Sequence, residues 1–346
     1  MTVATQLKQK IANKTKPPGS LGRLEELAIQ AGLIQNTLTP RILKPHIVVF
    51  AGDHGIAAKG KVNPYPQSVT AQMVLNFVAG GAAINVFCKQ FAISLTVVDA
   101  GVNASFPRSL PIVHAKMGMG TADYSEGSAM SYETAVAAVY RGASIVQQIY
   151  ATGSNTIGFG EMGIGNSSSA ALLMHYYTGL PIESCTGRGT GSNDEQLQQK
   201  INLLTATAQL HQLSEKIYSP YELLSKVGGF ELAMMAGAYL KAYQLGMLLV
   251  VDGFIATAAL LVAIDLQKEK VLTTKDTSLL RNCVFAHCSA ESGHASILQY
   301  LGVHPLLQLD MRLGEGTGSA LAIPVLQTAV AVLNEMAEFD KLETLS

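Results

Sequence analysis

Charge is what this sequence has least of. Only 14% of its 346 residues are Asp, Glu, Lys or Arg, and the net charge is −1. A chain with no basic excess has no electrostatic footprint for nucleic acid or an acidic membrane surface. Cysteine is sparse too, with four in the whole chain. Without a disulfide framework, and with no apolar h-region in "MTVATQLKQKIANKTK", reduced thiols in a cytosol are expected. Cys283, His287, Cys288 and His294 lie close in sequence, but 283–288 reads as a strand. Side chains at 283, 287 and 288 would not share one face of it, which argues against a tetrahedral zinc site. Several nucleotide and nucleophile motifs are missing. There is no G-x-x-x-x-G-K-[ST] for a P-loop, no G-x-S-x-G elbow, and no G-x-G-x-x-G after a strand for a dinucleotide. Internal repeats and low-complexity tracts are absent.

Apolar residues fill the space instead, at 48% of the chain. That is dry for a soluble protein and suggests a surface covered by a partner chain. The length allows one large domain with a smaller companion. Residues 247–264, "MLLVVDGFIATAALLVAI", could be taken for a membrane span, but Asp252 and Gly253 split it into strand, turn and helix. Candidate strands fall at 46–51, 95–100, 155–160, 248–253, 283–287 and 305–310. Most are almost wholly apolar, as strands covered on both faces are. Helical patterns lie between them, and one, 68–91, breaks near Gly80 and Gly81. This alternation predicts an α/β fold with a Rossmann-like, doubly wound parallel sheet. Residues 1–45 fall outside it and are expected to form an arm that joins a small helical lobe or a dimer contact. Residues 46–346 form the α/β domain, with the C-terminal helix a possible member of the lobe.

Ligands sit at the carboxyl ends of strands in such sheets. Just past the candidate strands stand "GDHG", "DAGVN", "GEMGIGNSS", "DG", "HCSAESGH" and "DMRLGEGTG". Nearly all polar and glycine-rich clusters of an apolar chain therefore gather at one edge. "GEMGIGNSSSAAL" and "TGRGTGSNDEQLQQK" are glycine-rich turns leading into helices, the form of an anion cradle. Ser192 and Glu195 have capping-box spacing, which predicts a helix start there and places Lys200 two turns in, within reach of an anion. A single phosphate suits these turns better than a magnesium-bound pyrophosphate. Glu315 stands alone between Gly314 and Gly316, where glycines let a ligand approach closely.

The motifs "KPPGSLGRLEELA", "VVFAGDHGIAAKG", "PYPQSVTAQMVLNFVAGGAAINVF", "GEMGIGNSSSAA", "TGRGTG", "VGGFELAMMAGAYL", "VDGFIATAALL", "HCSAESGH" and "LDMRLGEGTGSALA" together resemble nicotinate-nucleotide–dimethylbenzimidazole phosphoribosyltransferases, from about residue 16 to about 335. The resemblance implies transfer of 5-phosphoribose from nicotinate mononucleotide to a lower-ligand base for cobamide assembly. It implies no metal and no cofactor, a cytoplasmic location, and a homodimer or a heterodimer with a paralogue. Glu315 matches the family's catalytic base. Glu161, Gly163, Ile164, Gly165, Asn166, Gly189, Lys200, Asp252 and Ser289 match its phosphate and ribose side. Asn63, Pro64, Gln72 and Leu313 match the side of the acceptor base. Asn63 and Pro64 stand where a serine before proline is expected, Ser292 where proline is common, and "NSSSAAL" replaces a threonine-richer run. Those departures leave open a phenolic acceptor or a role as the partner subunit of a heteromeric enzyme. A nicotinamide-dependent oxidoreductase is the more distant alternative, disfavoured by the missing fingerprint.

Overall fold

The structure, a computed structural model, describes residues 1–188, 193–270 and 278–342. Helices α1 (Val3–Ala12) and α2 (Arg23–Ile34) precede β1 (His46–Gly52). Then come α3 (Ser68–Ala79), α4 (Ala83–Gln90), β2 (Ser94–Gly101), β3 (Val113–His114) and α5 (Tyr132–Ala151). β4 (Thr156–Met162) leads into α6 (Asn166–Thr178), followed by α7 (Ile182–Cys185), α8 (Asp194–Leu210), α9 (Pro220–Val227) and α10 (Phe230–Gln244). The chain ends with β5 (Leu248–Val251), α11 (Phe254–Lys270), β6 (Cys283–Phe285), α12 (His294–Leu301), α13 (Thr317–Glu335) and α14 (Phe339–Leu342).

The six strands form one sheet in the order β3-β2-β1-β4-β5-β6, and every neighbouring pair is parallel. This is the doubly wound order, in which the chain reverses direction across the sheet between β1 and β4. The apolar runs explain it. In β1, Val48 and Phe50 face a core shared with α5, α6, α10 and α11, while Ile47, Val49 and Ala51 face a second core shared with α2, α3, α4 and α13. Strands covered on both faces need no polar alternation. α5 and α10 cross so closely that only glycine fits: a Cβ at Gly142 would strike the Met234 backbone, and one at Gly237 the Val139 backbone.

Residues 1–45 lie on the α13 side of the sheet. Leu7 and Leu27 bury there with Leu326, and Lys14 Nζ bonds Met336 O at 2.8 Å and Glu338 at 3.0 Å. Residues 247–264 resolve as β5, the Asp252-Gly253 turn and the start of α11. The expected strand at 305–310 does not form: only Leu307 bridges, to His287. Pro305 has no N–H to give a ladder, and Asp310 adopts a left-handed φ of 52° that ends the extended run. The edge of the sheet beyond β2 is instead the two-residue β3. α8 starts one residue later than the spacing suggested. Asn193 and Gln196 make the capping box, while Ser192 lies outside the described residues.

Candidate functional site

The C-terminal ends of β4 and β5 meet the N-termini of α6 and α13. Glu161 and Met162 end β4, and Gly163-Ile164-Gly165 turns the chain into α6, with Gly165 at φ 99°. Non-glycine residues rarely adopt that φ. Asn166 N–H donates to Gly163 O at 3.2 Å and Ser168 N–H to Gly165 O at 3.0 Å, which closes the turn. Lys200 comes in from α8, buried, with Nζ 3.0 Å from Ser167 Oγ and 3.3 Å from Gly187 O. Burial pulls its ammonium down to about 8, against the pull of Glu291. A helix N-terminus with a buried lysine beside it is a site for an anion. Gly189 lies outside the described residues.

Three buried carboxylates stand at the same edge. Glu161 accepts from the Asn166 amide, yet burial pushes it up to about 8, with Asp252, Glu231 and Glu315 adding repulsion. Asp252 caps α13, accepting from Gly316 N at 3.2 Å and Ser319 N at 3.1 Å. Burial still raises it to about 7. Glu315 is 4% exposed and is also raised by burial. Its Oε2 lies 3.5 Å from Ile84 N in the first turn of α4, at the outer limit of a hydrogen bond. Its φ is 62°, between Gly314 at 79° and Gly316 at 81°. Contact adds to this: a Cβ at Gly314 would meet the Glu161 carboxylate, one at Gly316 the Ile47 side chain, and one at Gly160, on β4, the Glu315–Gly316 backbone.

Between these groups runs a cleft with about 740 Å³ of empty space, its open mouth included. Its walls bring together Asn63, Glu161, Gly163, Ile164, Asn166, Asp252, Ser289 and Leu313 from the sequence-based set. Gly165 and Lys200 stand behind the wall, and Glu315 reaches toward α4. Pro64 and Gln72 are exposed and do not line the cleft, and Asn63 Oδ1 accepts from Tyr65 N at 2.8 Å. Among the described residues, no three His, Cys, Asp or Glu are placed to hold a metal.

Other lining residues escaped the sequence reading as site groups: Ser167, His287, Glu291 and Arg312. Ser167 and Arg312 lie inside motifs already quoted, so position alone could have marked them. His287 follows β6; its Nε2 is 3.9 Å from Asp252 Oδ1, its Nδ1 is buried without a partner, and burial lowers its pKa. His294 is committed elsewhere, accepting from Ser289 N at 2.8 Å and meeting Thr257 Oγ1 at 3.1 Å. It therefore steadies Ser289 from behind. His54 and Glu231, fully buried and 2.6 Å apart, are 177 residues apart in the chain, and no local pattern pairs them.

The chain as a whole is similar to known proteins. A family model described as Phosphoribosyltransferase matches residues 1–343. The nicotinate-nucleotide–dimethylbenzimidazole phosphoribosyltransferase of Aromatoleum aromaticum is 50% identical over 340 residues, covering 98% of this chain and 94% of its own. That of Cupriavidus necator is 51% identical over 334 residues, covering 96% and 93%. The crystal structure of CobT from Thermus thermophilus superposes with a TM-score of 0.90 at 38% identity, over 99% of this chain and 98% of that one. Both the α/β architecture and about half of all residues are thus held in common along nearly the full length, and the chain belongs to the nicotinate-nucleotide–dimethylbenzimidazole phosphoribosyltransferase family.

Proposed function

We propose that this chain moves the 5-phosphoribosyl group of nicotinate mononucleotide onto 5,6-dimethylbenzimidazole or a related base, releasing nicotinate and α-ribazole phosphate. One observation carries the reading. A lysine-backed helix N-terminus and three buried carboxylates converge at one sheet edge. The first suits a phosphate, and the second suits a sugar that becomes cationic as its base departs.

The chemistry follows from the donor. Its pyridinium nitrogen takes the electron pair of the C1′–N bond and leaves neutral, so the leaving group needs no acid. Ribose gains oxocarbenium character, which Glu161 and Asp252 stabilise in their charged forms. One nitrogen of the benzimidazole attacks C1′ while the other loses its proton to Glu315. Burial raises the proton affinity of Glu315, as a base in this role requires. Lys200, with the turn at 163–167, holds the 5′-phosphate.

The dry composition and the exposed Leu75 and Val86, on neighbouring helices α3 and α4, support a homodimer. Four unpaired cysteines suit a reducing, cytoplasmic compartment. The seat of residues 1–45 on α13 supports their assignment to a helical lobe.

The test is turnover by the purified chain alone. With nicotinate mononucleotide, nicotinate release is expected with dimethylbenzimidazole and to differ in rate for benzimidazole, adenine and phenol. No release with any acceptor would end the reading in favour of a subunit that needs a second chain.

A further inference from the structure

Thr70 is fully buried on α3, the helix that carries Gln72. Its hydroxyl donates to Asp53 Oδ1 at 2.6 Å and accepts from Ile164 N at 3.1 Å. Asp53 is buried as well, and its second oxygen accepts from Asn103 N at 2.8 Å. The Ile164 N–H belongs to the peptide unit whose carbonyl is that of Gly163, and that carbonyl accepts from Asn166 N. The peptide is thus pinned at both ends. Asn166 in turn donates its side-chain amide to Glu161. An unbroken line of contacts runs Asp53, Thr70, peptide 163–164, Asn166, Glu161, from the acceptor-side helix to the carboxylate at the ribose.

We propose that Thr70, braced by Asp53, is a positioning residue that sets the rotation of the phosphate turn and, through Asn166, the place of Glu161. It deepens the reading above and rests on the turn at 163–167 taking the donor phosphate. A threonine here has two jobs that valine, its near-isostere, cannot do. Valine would leave a buried N–H and a buried carboxylate oxygen without partners, and the peptide plane would be free to turn. Serine keeps the hydroxyl and loses only a methyl group.

Two measurements on the intact protein decide it: the Kd of inorganic phosphate by calorimetry, and donor KM against kcat. Thr70→Val is expected to raise both Kd and KM roughly tenfold and to lower kcat as well, by about threefold or more, because Glu161 shifts with the turn. Thr70→Ser is expected to restore both to within about twofold of wild type. If valine prevents folding, Thr70→Ala removes the hydroxyl without added bulk and is read the same way. A hydroxyl-free variant that matches wild type in phosphate Kd overturns the proposal, as does a serine variant that loses as much as valine. Wild-type protein that does not bind phosphate overturns it too, whatever turnover shows. Phosphate binding weakened in Thr70→Val, but no turnover by wild type with any base, sinks the assigned reaction and leaves the positioning role standing.

Discussion

Glu315 is disfavoured twice where it stands. A non-glycine residue at φ 62° suffers a steric cost of roughly 1–2 kcal/mol, and burial resists its charge. Residues kept in such conformations against their preference cluster at functional sites. Glycine would relieve both penalties, at the expense of its own chain entropy. Glu315→Gly is therefore expected to gain about 1 kcal/mol of stability, read in calorimetry as a higher unfolding temperature, while Glu315→Gln, which keeps the φ and sheds only the buried charge, gains less. Both are expected to lose about 10²–10⁴-fold in kcat. A glutamine variant with the wild-type rate and pH profile would remove the base role. In the sequence the glycines beside Glu315 make room for a ligand. That a Cβ at Gly314 would meet the Glu161 carboxylate, and one at Gly160 the backbone at 315–316, is not legible there, because both contacts form only in the folded chain.

Elements show the same division between local and tertiary signals. β1, β2, β4, β5 and β6 were legible because burial on both faces leaves near-continuous apolar runs. β3 is two residues long and leaves no pattern, while 305–310 carries the pattern of a strand but pairs only at Leu306 and Leu307, between Pro305, which has no N–H, and the left-handed φ of Asp310. The crossing of α5 and α10 is set by a device that composition hides. Gly142 and Gly237 look like weak points in helices, since glycine is a poor helix former. They are the positions where one backbone rests on the other. Gly142→Ala gains helix propensity and is nevertheless expected to lose about 3 kcal/mol, because a methyl group there must push two backbones apart. The urea midpoint reads this; an unchanged or higher midpoint would mean the helices can separate freely.

Across the whole molecule, the candidate site was legible as an edge. Parallel sheets put their ligands at strand C-termini, and Glu161, Asp252, Ser289 and Glu315 all follow strands or lead into the helices beside them. What could not be read was how the groups share the site, such as the Thr70 link or the exposure of Pro64 and Gln72 outside the cleft. That sharing has a measurable consequence. Glu161 and Asp252 sit at about 8 and about 7 in the folded protein, above the 4.5 and 3.8 of free carboxyls. Groups raised on folding contribute full stability below about pH 4 and lose it as pH climbs through their folded values. The buried His46 and His294, lowered to about 4 and about 3, oppose this loss up to about pH 6.5, so the free protein is expected to melt progressively lower between about pH 6.5 and pH 8. A donor nucleotide brings a pyridinium cation to these neighbours, which favours their charged forms and lowers both pKa values as it binds. Release of protons from these two carboxylates near pH 7.5 is opposed by uptake at Lys200, whose ammonium at about 8 gains a phosphate partner, so the carboxylates' share is read as the difference in proton count between wild type and Glu161→Gln. Calorimetry in buffers of different ionisation enthalpy counts those protons. Glu161→Gln should release fewer, since amide replaces the most strongly raised acid. An equal proton count in wild type and Glu161→Gln would mean that Glu161 is already charged in the empty cleft, and the electrostatic account of ribosyl stabilisation would have to be rebuilt around a hydrated site.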